Sequence, residues 1–178
     1  LAAAAGTIGD VRLVTGRYFQ DWLLLESDWN WRLQPDRGGA LRAVGDIGSH
    51  WLDLMTYVTG QRIVSVMADL TTFIGTRHEP TGPVATFATE RSGETVSRPI
   101  ATEDTASILL RFEGGARGAV SISQISPGRK NSLQYEIDGS EEQVTEPGHQ
   151  GQRNGMCNVG SRNSRRRHFR VEQDKRRG

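Results

Sequence analysis

Only one cysteine, Cys157, occurs in the 178 residues, so neither an internal disulfide framework nor a multi-cysteine zinc site is available. The fold must be held by burial, and a reducing, cytoplasmic compartment is expected. Nowhere does the chain reach the roughly 18 consecutive apolar residues that span a bilayer. The alanine-rich start lacks the basic residues and long apolar run of a signal peptide. Phosphate-cradling glycine patterns, GxGxxG and GxxxxGK[ST], are missing as well, so the chain should not hold a dinucleotide by itself. There is no HExxH pattern and no GxSxG elbow.

What is present suits one domain with a core, given 35% hydrophobic residues. The net charge of +1 is unevenly distributed. Residues 144–178 carry nine Lys and Arg against three Asp and Glu, which leaves −5 in residues 1–143. The chain starts at Leu1, and Leu1–Ala5 followed by Gly6 reads as the last turn of a helix, so the true N-terminus is expected to lie upstream.

Strands are expected at Val11–Phe19, within residues 62–75, in a hairpin from Thr105 to Ser126, and at Ser132–Asp138. In the hairpin Ile108, Leu110 and Phe112 alternate inward before a Glu113-Gly114-Gly115 turn. Asp46–Thr59 reads as an amphipathic helix with Ile47, Trp51, Leu54, Met55 and Val58 on its apolar stripe, stopped by Gly60. Three tryptophans, Trp22, Trp29 and Trp31, crowd a loop that should line a cleft or cap a core. Residues 76–103 read as a long excursion loop without period. The sum is an α+β domain, a mostly antiparallel open sheet with helices packed on one face.

Asp46, His50, Asp53 and Tyr57 share a polar stripe on that helix. A carboxylate and an imidazole four residues apart are close enough for the charge to orient the ring, a general acid/base arrangement. Three other readings stay open: Asp46 as a helix cap with His50 a first-turn packing residue, a metal held by Asp46, His50 and Asp53, and Ser49 as a nucleophile, which its position around the helix disfavours. The set of site expectations contains no metal.

The runs GDVRLVTGRYFQDWLL, DWNWRL, GGALRAVGDIGSHWLDLMTYVTG and IVSVMADLTTFIGTR resemble the C-terminal domain of the Gfo/Idh/MocA oxidoreductases over about residues 1–143. The Asp-x-x-x-His helix start, Asp46 and His50, carries that resemblance. It implies an NAD(P)-dependent dehydrogenase acting on CH-OH groups, with hydride passing between a sugar or polyol carbon and NAD or NADP. The cofactor would be bound mainly by an N-terminal Rossmann domain outside this chain. His50 would exchange the hydroxyl proton and Asp46 would orient it or bind substrate. A lysine of the other domain would assist. Arg32 resembles a position facing the cofactor and substrate cleft, with stacking on Trp29 or Trp31 as the plainer reading. Asp53 is grouped with it as substrate- or cofactor-facing. Tyr18, Gln20 and Trp22 are assigned to sheet packing, and Arg77 and His78 to a solvated loop. The resemblance also implies a homo-oligomer formed through the sheet face.

From residue 144 the resemblance, the hydrophobicity and the acidic balance fail together. Residues 144–178 are therefore expected to be a disordered or frame-shifted basic tail beside a truncated domain of residues 1–143. Loss of the last family strand would leave a sheet edge unpaired and the domain marginally stable. No regular basic-aromatic pattern supports nucleic-acid binding by the tail. The chain alone is expected to be inactive. The competing function is a non-catalytic oligomerisation or carbohydrate-binding module, in which His50 would be dispensable.

Overall fold

The computed structural model describes residues 8–82 and 94–146, and the backbone of Asn158 and Val159. The expected helix end at Leu1–Ala5, the middle of the 76–103 segment and most of the basic tail lie outside the described residues.

Strand β1 (Val11–Phe19) matches its expected bounds, and β2 (Ile63–Thr71), β5 (Thr105–Phe112), β6 (Arg117–Ser123) and β7 (Ser132–Gly139) follow the other strand expectations. Two further strands, β8 (Gln143–Glu146) and β9 (Asn158–Val159), extend the sheet, whose order is β2-β5-β6-β1-β7-β8-β9. β1 runs parallel to β6 and every other neighbouring pair is antiparallel. β8 pairs with β7 from Asp138↔Gln143 to Tyr135↔Glu146, so the ladder crosses the boundary expected at residue 143.

The 76–103 segment is not simply a loop. Its two ends, β3 (Thr76–Pro80) and β4 (Thr95–Pro99), pair as a separate antiparallel hairpin. Periodicity missed it because β4 is exposed along its whole length and β3 buries only Arg77, so neither carries apolar alternation.

One face of the main sheet is covered by helix α2 (Ser49–Thr59), whose Trp51, Met55 and Val58 pack with Ile47 on Val14, Ile108, Leu110, Phe112, Val120, Ile122 and Ile137. Trp51 is fully buried and its indole Nε1 donates to the Gln134 carbonyl at 3.0 Å. That reach crosses β1 at Gly16, where an added Cβ would lie 2.8 Å from the indole. The helix ends at Gly60, whose φ of 67° is the left-handed conformation of a C-terminal cap. On the opposite face of the sheet Leu13, Met67 and Leu109 remain exposed.

The tryptophan loop forms a second small core in which Leu23, Leu33 and Ile100 are buried with Trp22 and Trp29 packed against them. A short helix, α1 (Pro35–Gly38), follows it.

Candidate functional site

The helix carrying Asp46 and His50 begins earlier than the sequence suggests. Val44–Gly48 form a π turn that runs directly into α2, with the Ser49 N–H donating to the Val44 carbonyl. Such single turns inside helices are frequent at functional sites. A turn closed over five residues no longer stacks positions four apart as an α-helix does. Asp46 lies within this turn, and His50 follows it at the start of α2.

Asp46 does not cap the helix. The first free N–H groups are met by Glu103, whose Oε2 accepts from the Arg42 N–H at 3.0 Å and Oε1 from the Val44 N–H at 2.9 Å. A carboxylate there also complements the positive end of the helix dipole. Asp46 is left free for side chains. Its Oδ1 pairs with Arg32 Nε at 3.0 Å, and its Oδ2 accepts from Gln124 Nε2 at 2.8 Å.

Arg32 stacks on Trp31, the plainer of the two readings considered for it. Its guanidinium lies 4.5 Å from the centre of the Trp31 ring while it pairs with Asp46. Asn30 sets the turn by accepting from the Arg32 N–H at 3.1 Å. His50 lies at the start of α2 and is exposed. Among the described residues no hydrogen bond or ion pair joins it to Asp46. Asp53 is exposed on the same helix, and the structure shows no contact between it and the Asp46 pair. Among the described residues no group of three or more His, Cys, Asp and Glu side chains is placed to hold a metal ion.

The strand-end residues assigned to packing do more than pack. Tyr18 Oη and Gln20 Nε2 both donate to Asn131 Oδ1, at 2.7 and 2.9 Å, and Trp22 Nε1 donates to Gln20 Oε1 at 2.7 Å. Burial pushes the Tyr18 hydroxyl above the usual phenol range. The Asn131 bond opposes that rise, and the negative charge of Asp46 adds to it, which places this relay within electrostatic reach of the carboxylate.

Behind the site lies a buried charge cluster with no signature in residue spacing. Asp104 accepts from Arg42 and, at 3.1 Å, from Arg77, and all three side chains are fully buried. Its other oxygen takes the Phe73 and Ile74 N–H groups at 2.7 and 2.8 Å. Burial raises the Asp104 carboxyl, but the Ile74 N–H and the two arginines outweigh it and hold the group below the ordinary range. Burial and the neighbouring Arg42 charge lower Arg77. Arg77, expected on a solvated loop, instead donates to the carbonyls of Leu23 at 2.8 Å, Leu25 at 2.8 Å and Asp28 at 3.3 Å. The tryptophan loop, the helix start and the β3–β4 hairpin are thereby tied together.

Fold and site define an α+β domain with a charged cluster, Asp46 with Arg32 and Gln124, at the start of the helix that covers its sheet. The model of the GFO/IDH/MocA C-terminal domain matches residues 2–145. Levoglucosan dehydrogenase of Pseudarthrobacter phenanthrenivorans is 34% identical over 137 residues, which are 76% of this chain and 35% of that protein. Among solved structures, an oxidoreductase domain protein from Kribbella flavida is 36% identical with a TM-score of 0.69, covering 81% of this chain and 36% of that one. A levoglucosan dehydrogenase in complex with NADH and levoglucosan is 28% identical with a TM-score of 0.68, covering 82% and 35%. The chain belongs to the Gfo/Idh/MocA oxidoreductase family and spans about a third of the length of these relatives.

Proposed function

We propose that this chain is the substrate-handling part of an NAD(P)-dependent dehydrogenase acting on a sugar or polyol hydroxyl, and that it is inactive by itself. The carrying observation is the Asp46 carboxylate, gripped by Arg32 and Gln124 at the start of a helix whose next turn presents an exposed His50. The names of the relatives, which include a dehydrogenase holding NADH and levoglucosan, support the same reading.

The chain's own residues fit the substrate side of such a reaction and not the dinucleotide side. Among the described residues no strand, glycine-rich turn and helix combine to cradle a pyrophosphate. NAD or NADP, held mainly by another domain, would supply the hydride acceptor. His50 takes the proton of the reacting hydroxyl, a task suited to a side chain whose ordinary titration range spans neutrality. Asp46 accepts a hydrogen bond from the sugar and orients it. Arg32, held flat on Trp31, offers its remaining N–H groups to hydroxyl oxygens. Asp53 belongs to the outer wall of the cleft. The intact protein is a cytoplasmic homo-oligomer built through the exposed sheet face.

The test joins the chain to a family dinucleotide-binding domain and follows reduced nicotinamide with NAD+ or NADP+ over anhydrosugars, aldoses and cyclic polyols. His50→Ala should lower turnover by about 100-fold or more. Unchanged turnover would reject the proton-transfer role and favour a binding module.

A further inference from the structure

We propose that Gln124 is a positioning residue: its buried amide fixes the orientation of the Asp46 carboxylate against Arg32, and so sets where a substrate hydroxyl meets that carboxylate. Only this last step rests on the sugar or polyol reading given above.

Gln124 follows the end of β6 and is completely buried. Its Nε2 donates to Asp46 Oδ2 at 2.8 Å while Arg32 Nε holds Oδ1 at 3.0 Å. Donors on both oxygens, supplied from two different parts of the chain, leave the carboxylate one orientation. The backbone that carries the amide is well anchored. Its N–H donates to the Asp104 carbonyl at 3.1 Å, and its carbonyl accepts from the Leu23 N–H at 3.3 Å. It therefore stands between the buried Arg42–Asp104–Arg77 cluster and the tryptophan loop, and transmits the placement of both to Asp46.

The other end of the amide carries a cost. Gln124 Oε1 is buried and has no hydrogen-bond partner among the described residues. A buried amide oxygen without a donor destabilises a fold, and an apolar side chain of the same length would avoid it. Packing does not call for the amide. The one thing it does that methionine could not is donate to Asp46.

Two variants of conserved shape test this, Gln124→Met, which removes the donor, and Gln124→Glu, which makes it titratable. On the 178-residue chain without substrate or cofactor, hydrogen exchange of the Arg32 Nε–H is followed by 15N–1H NMR. Exchange should accelerate about fivefold or more in Gln124→Met, with the Tm unchanged or higher. Exchange at the wild-type rate, or acceleration accompanied by a large fall in Tm, overturns the proposal. In the protein joined to a dinucleotide-binding domain, Gln124→Glu should approach wild-type turnover at acid pH. There the protonated carboxyl donates to Asp46 as the amide does. It should lose activity as pH rises and two carboxylates confront each other, with Arg32 on the far side of Asp46 and the Arg42–Asp104–Arg77 cluster behind. A ratio of variant to wild-type turnover that is flat with pH also overturns it. If wild-type protein turns over no sugar or polyol while Arg32 exchange responds as stated, the functional reading fails and the positioning of Asp46 stands.

Discussion

At Gly16 the strand can carry no side chain, and the placement of the whole covering helix depends on it. An added Cβ would lie 2.3 Å from the Gln134 carbonyl and 2.8 Å from the Trp51 indole, the two groups that hydrogen-bond across this point. Neither can retreat easily, since one is backbone and the other is fully buried. Gly16→Ala should destabilise the fold by about 1–3 kcal/mol, seen as a lower Tm in thermal unfolding. It should also turn α2 and displace His50, which directly precedes Trp51. In the sequence Gly16 is only an unremarkable member of a β-rich run. Asp46, His50 and Arg32 could be singled out because family resemblance marked them. Gln124, Glu103 and Asp104 could not, since a lone polar residue at a strand end or in a connection gives no periodic signal and acquires meaning only from partners some 60 to 80 positions away.

Among the elements, those with regular alternation were legible. The β5–β6 hairpin and the apolar stripe of α2 follow from periods of two and near four, and β1 from its run of β-branched and aromatic residues. The π turn was not, because it differs from an α turn in hydrogen bonding and not in composition. The β3–β4 hairpin was hidden because its fixing contact is a buried arginine, and charge in a sequence reads as solvated. That contact has a measurable signature. Asp104 titrates lower in the folded protein than in the unfolded chain, so its stabilisation is complete above about pH 4 and drains away as pH falls toward the folded value. Asp104→Asn should cost about 3–5 kcal/mol at neutral pH by leaving two buried guanidinium groups without their carboxylate. It should also flatten the acid limb of the stability profile, measured by urea unfolding between neutral and acid pH. An acid limb as steep as the wild type's would show that other carboxylates govern it.

For the molecule as a whole, the described residues cover the sheet on one face and leave the other open. Leu109 is 56% exposed and Met67 71% exposed, directly paired on adjacent strands β5 and β2. This open face is the one through which we propose that copies of the intact protein associate. Leu109→Lys should shift the protein to a smaller species in light scattering coupled to size exclusion, with circular dichroism unchanged. A wild-type chain that is monomeric at all accessible concentrations would remove the sheet face as the interface. The open α+β layer was legible from the sequence, but not which strands would border the open face, because pairing order depends on connections that periodicity does not specify.

The three carbonyls that converge on Arg77 bear on the order in which the molecule assembles. The loop around Leu23, Leu25 and Asp28 takes its shape from a cation about fifty residues further along the chain, and that cation is itself held by Asp104. This part of the molecule takes its final shape only once Arg77 and Asp104 are both in place. Closing such separations is entropically slow. A chain stopped before residue 104 would contain Arg32, Asp46 and His50 yet lack Asp104, Gln124 and strands β5, β6 and β7, on which their arrangement rests.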